Sequence, residues 1–134
     1  MTVEKVEQNL KEVKRTERGW AGHFCCSDSC KFRRNTLLEC GETKVVVSTV
    51  GNMFNSRGEY VQVGICRDYE TYAFHVDPAS GDYKDIDVER QIWFESRDAY
   101  LIKKGDKYPD LIANNMHETV VQELTEKLEK GVEL

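Results

Sequence analysis

Apolar residues change their period along this chain, and each change marks a boundary between elements. Val3, Val6, Leu10 and Val13 recur at the three-to-four spacing of a helix, with Glu and Lys on the intervening positions. Thr2 is placed to cap the amides of a first turn and Gly19 follows the stop, so residues 1–15 are predicted to form an amphipathic helix. From Trp20 onward the helical period disappears. Strands are expected over 20–26, 31–40 and 44–54, separated by the turn-forming runs Ser27-Asp28-Ser29 and Gly41-Glu42-Thr43. Sequential strands with connections this short pair antiparallel, as a meander.

Val45-Val46-Val47 is apolar on both parities. A half-exposed strand alternates, so this run predicts a central strand covered on both faces, one of them by a helix. Residues 55–69 hold Gly58 and Gly64 among mixed positions and allow a short strand at 60–65. A further strand is read at 71–76. Pro78-Ala79-Ser80-Gly81-Asp82 then turns the chain into a stretch where Ile86, Val88, Arg90, Ile92 and Phe94 alternate with Asp85, Asp87, Glu89 and Gln91, the pattern of a half-buried strand.

A charged loop over 95–107 leads to Pro109, which suits a first helical turn because its missing N–H is not needed there. Leu111, Val120, Val121, Leu124 and Leu128 lay an apolar stripe that ends at Lys130-Gly131. Helix, sheet, helix, with no βαβ alternation, gives the α+β class: a single domain over 1–134, its antiparallel sheet of about four to six strands carrying an N-terminal and a C-terminal helix.

Composition narrows the picture. A chain of 134 residues has room for one core, and 40% hydrophobic with 32% charged residues is the balance of a globular domain. A net charge of −5 works against broad nonspecific DNA binding, which draws on Lys and Arg displacing counterions from phosphates. The N-terminus is charged from the start, and no run approaches the roughly 20 apolar residues of a membrane span. A cytoplasmic protein without a membrane partner is expected. Five cysteines are an odd number for a disulfide framework and are expected as reduced thiols.

Candidate chemistry concentrates between Arg18 and Glu39. His23, Cys25, Cys26, Cys30 and Cys40 are ligand types that zinc takes, but adjacent cysteines on a strand point to opposite faces and the usual Cys-x2-Cys knuckles are absent, so no metal is expected. No phosphate-binding loop, dinucleotide turn, HExxH helix or GxSxG elbow occurs, and no cofactor is expected. Arg33 and Arg34 lie on one strand with Asn35 and Thr36 beside them. Arg34 shares parity with Phe32, and a guanidinium aimed at a partly apolar face needs a carboxylate or a phosphate to answer it. The plainer answer is an ion pair with Glu70, Asp85 or Glu89. The functional answer is an anion from outside the chain. Tyr60, Tyr69, Tyr72 and Trp93 offer rings that stack on a base or complete a core. His23, His75 and His117, if they converged near the arginines, would supply the acid and base of a phosphodiester hydrolase.

The segments GWAGHF, FRRNTLLE, VVVSTVGNM, YETYAFH and ANNMHETVV resemble a family of small proteins carried in bacterial, phage and prophage genomes, to which no activity is assigned. The likeness spans most of 18–54, 69–76 and 113–121 and leaves 55–67 outside. It implies a context: short acidic proteins of phage type act as host-takeover or counter-defence factors, binding a host protein or sequestering a nucleotide signal in the host cytoplasm. The expectation is therefore a noncatalytic binding protein, a homo-oligomer, whose ligand-binding residues are His23, Arg33, Arg34, Asn35, Thr36, Tyr72, His75 and His117. Its rivals are a metal-independent phosphodiesterase or nuclease using His23, His75 and His117, and a pure protein–protein inhibitor acting through the 55–69 loop and the helix surfaces.

Overall fold

Two long strands joined by a two-residue turn form the spine of the structure. In the computed structural model, which describes residues 10–19, 23, 29–64, 67–76, 86–97 and 108–134, β2 (Cys30–Cys40) pairs antiparallel with β3 (Thr43–Phe54) from Cys30↔Met53 to Cys40↔Thr43. Gly41 alone in the turn adopts positive φ, +59°, the signature of a type II′ hairpin, whose twist matches that of the strands. β1 (Lys14–Glu17) adds outside β2, β5 (Tyr69–Val76) pairs with the other side of β3, and β6 (Ile86–Arg97) lies beyond β5, giving the order β1-β2-β3-β5-β6. β4 (Tyr60–Val61) pairs with the far end of β3.

Side chains alternate across this sheet, so register assigns each residue to a face. One face presents Arg34, Thr36, Leu38 and Cys40 from β2, Val45, Val47 and Thr49 from β3, and Tyr69, Thr71 and Ala73 from β5. On it lies the helix α1 (Tyr108–Glu129), which packs Val120, Val121, Leu124 and Leu128 against Leu38, Val45, Val47 and Ala73, and packs Ala113 and Met116 against Tyr69 and Phe32. α1 stops where the sequence predicts. The Gly131 N–H donates to the Leu128 carbonyl at 3.0 Å and the Val132 N–H to the Lys127 carbonyl at 2.9 Å, a Schellman cap with Gly131 at φ +74°. The opposite face carries Arg33, Asn35, Val46, Ser48, Val50, Glu70, Tyr72 and Phe74. Val45, Val46 and Val47 are all fully buried, as expected of a central strand. The result is one α+β domain.

Several expectations need correction. No helix occupies residues 10–13 and Lys14 already begins β1, so the predicted N-terminal helix does not reach residue 15; residues 1–9 lie outside the described residues. The charges of Lys14–Glu17 serve an edge strand, where polar side chains suit solvent. The strand predicted at 60–65 shortens to Tyr60–Val61, and β6 continues to Arg97 through residues expected to be loop. Its strict alternation is also broken: Ala73 pairs with Trp93 but Phe74 with Gln91, so Ile92 is an inserted residue and both Ile92 and Trp93 reach the helix-side core. The strand predicted at 20–26, like Cys25, Cys26 and Cys66, lies outside the described residues apart from His23; Cys30 and Cys40 are buried. Among the described residues no helix is long and apolar enough to cross a membrane.

β3 changes partner from β5 to β4 at Asn52, which sits at φ +54° and donates its N–H to the Asp68 carbonyl at 3.2 Å. Just before it the Tyr69 ring lies directly on Gly51, where a methyl group would overlap both the ring and the Asp68 carbonyl. Gly51→Ala is therefore expected to destabilise the protein by about 2 kcal/mol or more through overpacking, read as a lower urea midpoint at unchanged slope. An unchanged midpoint would contradict this packing.

Candidate functional site

Two polar clusters lie on opposite faces of the sheet. Under α1, His117 is fully buried with Nε2 2.7 Å from Thr36 Oγ1 and Nδ1 2.7 Å from Thr49 Oγ1, and Thr49 Oγ1 is 2.6 Å from Thr71 Oγ1. The direction of this chain is fixed by its end. Thr36 donates its hydroxyl proton to the Glu17 carboxylate, 3.0 Å away, so its oxygen must accept from His117 Nε2–H. His117 Nδ1 then accepts from Thr49, and Thr49 accepts from Thr71. One ordered run of donors crosses β5, β3, α1 and β2 to a carboxylate on β1.

That carboxylate belongs to an ionic cluster. Arg34 donates to Glu17 at 2.9 Å, to Glu118 at 2.7 Å and to the Asn114 side-chain carbonyl at 2.8 Å, while Arg15 donates to Glu17 at 2.7 Å and to Glu118 at 2.8 Å. The Arg15 and Arg34 hydrogen bonds hold the Glu118 carboxyl down at about 2 against partial burial. Burial pushes Glu17 up, but hydrogen bonds from Arg15, Arg34 and Thr36 outweigh it and leave its pKa below the ordinary carboxylate value. Burial, helped by the positive charge of Arg34, depresses His117 to about 4 and keeps it neutral.

On the other face Asn35, Ser48, Tyr72 and Phe94 form a row of cross-strand neighbours. His23 sits over it, with Nε2 2.8 Å from Glu70 Oε1 and Nδ1 3.0 Å from Ser48 Oγ. Its ring meets Tyr72 edge-on at 4.9 Å between centroids. Tyr72 stacks on Phe74 at 5.4 Å and lies 4.6 Å from Phe94, whose ring is 39% exposed and carries the Arg67 guanidinium 5.2 Å above it. Arg67 also reaches Glu70 at 3.5 Å. Asn35 accepts from Arg18 Nε at 2.8 Å, and its buried Nδ2 has no partner among the described residues.

Ser48, His23 and Glu70 have the connectivity of a nucleophile, a base and an orienting carboxylate. The backbone around Ser48 argues against acyl transfer. Ser48 is fully buried in the middle of β3 with β2 and β5 paired on either side, so local main-chain N–H groups are engaged in ladders and form no oxyanion pocket. Among the described residues no group of three or more His, Cys, Asp or Glu is placed to hold a metal ion.

The predicted site residues are thus divided. Arg34, Thr36 and His117 lie together on the helix side; His23, Arg33, Asn35 and Tyr72 belong to the opposite face; His75 stands at the far end of β5, with Nε2 3.0 Å from a main-chain oxygen of Leu134. The three histidines share no cleft, so the acid–base constellation of a phosphodiester hydrolase is not assembled. Arg34 is answered by Glu17 and Glu118, not by Glu70 or Glu89, and needs no anion from outside; Asp85 lies outside the described residues. Ser48, Glu70, Arg67 and Phe94 were not singled out as site residues. Cross-strand register, which a single sequence does not display, brings them together. Comparison with protein-family models, curated proteins and solved structures finds no match for this chain.

The helix-side cluster makes stability depend on pH. Between its ordinary value of 6.5 and about 4, His117 takes up a proton in the unfolded chain but not in the folded one, so stability falls as pH is lowered across that window. The loss is on the order of 3 kcal/mol when complete. Glu17 and Glu118, depressed from 4.5, extend the loss below that value. Urea unfolding at a series of pH values is expected to show this slope, and His117→Gln to remove its upper part. An NMR titration of the folded protein with the His117 ring protonating near 6.5 would refute the assignment even if the variant fails to fold.

Proposed function

We propose that the protein is a noncatalytic binding protein of the phage type, a host-takeover or counter-defence factor, that recognises a nucleotide-like anion on the sheet face opposite α1. The observation that carries this reading is the partly exposed Tyr72–Phe94 ring pair on a face that also bears Arg33, Arg67 and the polar row of Asn35 and Ser48. Rings of this kind accept a base through its π-face, whatever its sequence identity. Guanidinium groups answer a phosphate. His23, clamped by Ser48 and Glu70, acts as a positioning residue for Tyr72.

The separation of the three histidines and the ladder-bound setting of Ser48 support binding without turnover. Arg34, Thr36 and His117 leave the proposed ligand set, because their hydrogen bonds are made within the chain.

Calorimetric titration with cyclic and linear nucleotides tests the proposal. Binding is expected, with the nucleotide recovered intact. Tyr72→Ala with Phe94→Ala is expected to weaken it at least about tenfold, in line with roughly 1–3 kcal/mol for each stacked base. Arg33→Ala should weaken charged ligands more than nucleosides. Absence of nucleotide binding, together with stable capture of a host protein, would replace this reading with that of a protein–protein inhibitor. Turnover of the ligand would restore an enzymatic one.

A further inference from the structure

β6 ends the sheet on the side away from β1, and among the described residues no strand pairs with its outer edge. The two edges differ in kind. β1 is four charged or polar residues, an edge that resists pairing, whereas β6 runs for 12 residues and carries Ile86, Ile92, Trp93 and Phe94. We propose that this outer edge pairs antiparallel with β6 of a second copy of the chain, across a two-fold axis normal to the sheet, so that the two sheets become one. The inference is independent of the binding proposed for the aromatic face.

The ladders show which backbone groups of β6 are free for this. The Asn52 N–H bond to the Asp68 carbonyl continues the β3–β5 register, so the even-numbered residues of β5 exchange bonds with β3 and the odd-numbered ones with β6. Trp93, Glu95 and Arg97 are their partners, which turns the N–H and C=O groups of Phe94 and Ser96 outward.

Side chains then select the register. Trp93, Glu95 and Arg97, opposite Ala73, Thr71 and Tyr69, stand on the helix side, and Phe94 and Ser96 on the other face. The inserted Ile92 also faces the helix side, so Gln91, opposite Phe74, returns to the other face, and Arg90, which shares a groove with Lys127 of α1, to the helix side. With the axis between Ile92 and Trp93, Trp93 meets Ile92 of the second copy, Phe94 meets Gln91 and Glu95 meets Arg90, each pair joining side chains of one face and occurring twice. A slip of one residue sets Phe94 against Arg90 or Ile92, and Gln91 against Trp93 or Glu95, which belong to opposite faces.

Charge favours the same register and a second copy as the occupant. Arg90 is exposed and makes no ion pair among the described residues, although Glu133 lines its groove. Glu95, 25% exposed, accepts from Trp93 Nε1 at 2.9 Å and from Arg97 at 3.0 Å. A carboxylate has about four acceptor positions, so Glu95 can take a third donor and would stand between Arg97 of its own strand and Arg90 of the second copy. Each edge thus supplies the cation and the anion that the other needs.

Sedimentation velocity of the full chain over a concentration series reads the association, and a dimer is expected. Arg90→Glu and Glu95→Arg each set like charges together twice across the axis, and each is expected to weaken the dimer at least about tenfold. Mixed in equal amounts, the two variants restore opposite charges at both contacts and should re-form a dimer. Ser96→Pro removes an outward N–H without touching a charge and should weaken the dimer as well, giving a second reading; a thermal melt checks that each variant is folded. A wild-type chain that stays monomeric, a dimer that survives both charge variants, or variants that do not re-form a dimer on mixing would overturn the pairing.

Discussion

The position of α1 on the sheet depends on a buried histidine held between hydroxyl groups of two strands, in a hydrogen-bond chain that runs in one direction. His117 receives from Thr49 and gives to Thr36, and the Glu17 carboxylate at the end leaves the chain no second orientation. Burying an imidazole and three hydroxyl groups is unfavourable unless each finds its partner, because an orphaned buried polar group costs about 1–3 kcal/mol. Here each one does. The apolar contacts of Val120, Val121, Leu124 and Leu128 supply most of the attraction between helix and sheet, but hydrophobic contact has no direction. A slip of α1 by one turn would bring Ala113 or Val121 opposite Thr36 and Thr49 and strand their hydroxyl groups. The polar band selects one register among those that oil-like packing would tolerate.

The same band disposes of the charges around it. Asn114, His117 and Glu118 stand on one side of α1, one helical turn in all, and Arg34 on β2 meets Asn114 and Glu118 while Thr36, two residues along the same strand, meets His117. Arg15 and Glu17 alternate in the same way on β1. Four charged groups, Arg15, Arg34, Glu17 and Glu118, therefore neutralise one another within a few ångströms.

Much of this architecture was legible in the sequence. The hairpin of β2 and β3, the double-sided burial of Val45-Val46-Val47 and the cap of α1 at Gly131 each follow from local rules of period and turn chemistry. The parity of Arg34 with Phe32 was correct as well, and so was the need for an answering charge. What the pattern could not reveal is the identity of that charge. Glu17 and Glu118 are 17 and 84 residues from Arg34, and their approach depends on β1 pairing with β2 and on the register of α1. Lys14 and Arg15 looked like the end of a helix because an edge strand of four polar residues has no apolar period of its own. The inserted Ile92 escaped for a related reason, since a bulge preserves the alternation of the sequence while shifting the face it meets.

The division of the predicted residues between two faces has a physical consequence for where recognition can occur. A side chain that completes an internal hydrogen-bond chain is worth most to the protein when nothing competes for it. A ligand taking Thr36 or Arg34 would have to replace Glu17, Glu118 or His117 as partner, and would leave a buried group unsatisfied for every contact it gained. On the opposite face the Phe94 ring is partly exposed and carries the Arg67 guanidinium above it, while Asn35 and Ser48 lie fully buried beneath. Internal saturation of the helix side is thus a reason to place the proposed recognition on the opposite face of the sheet.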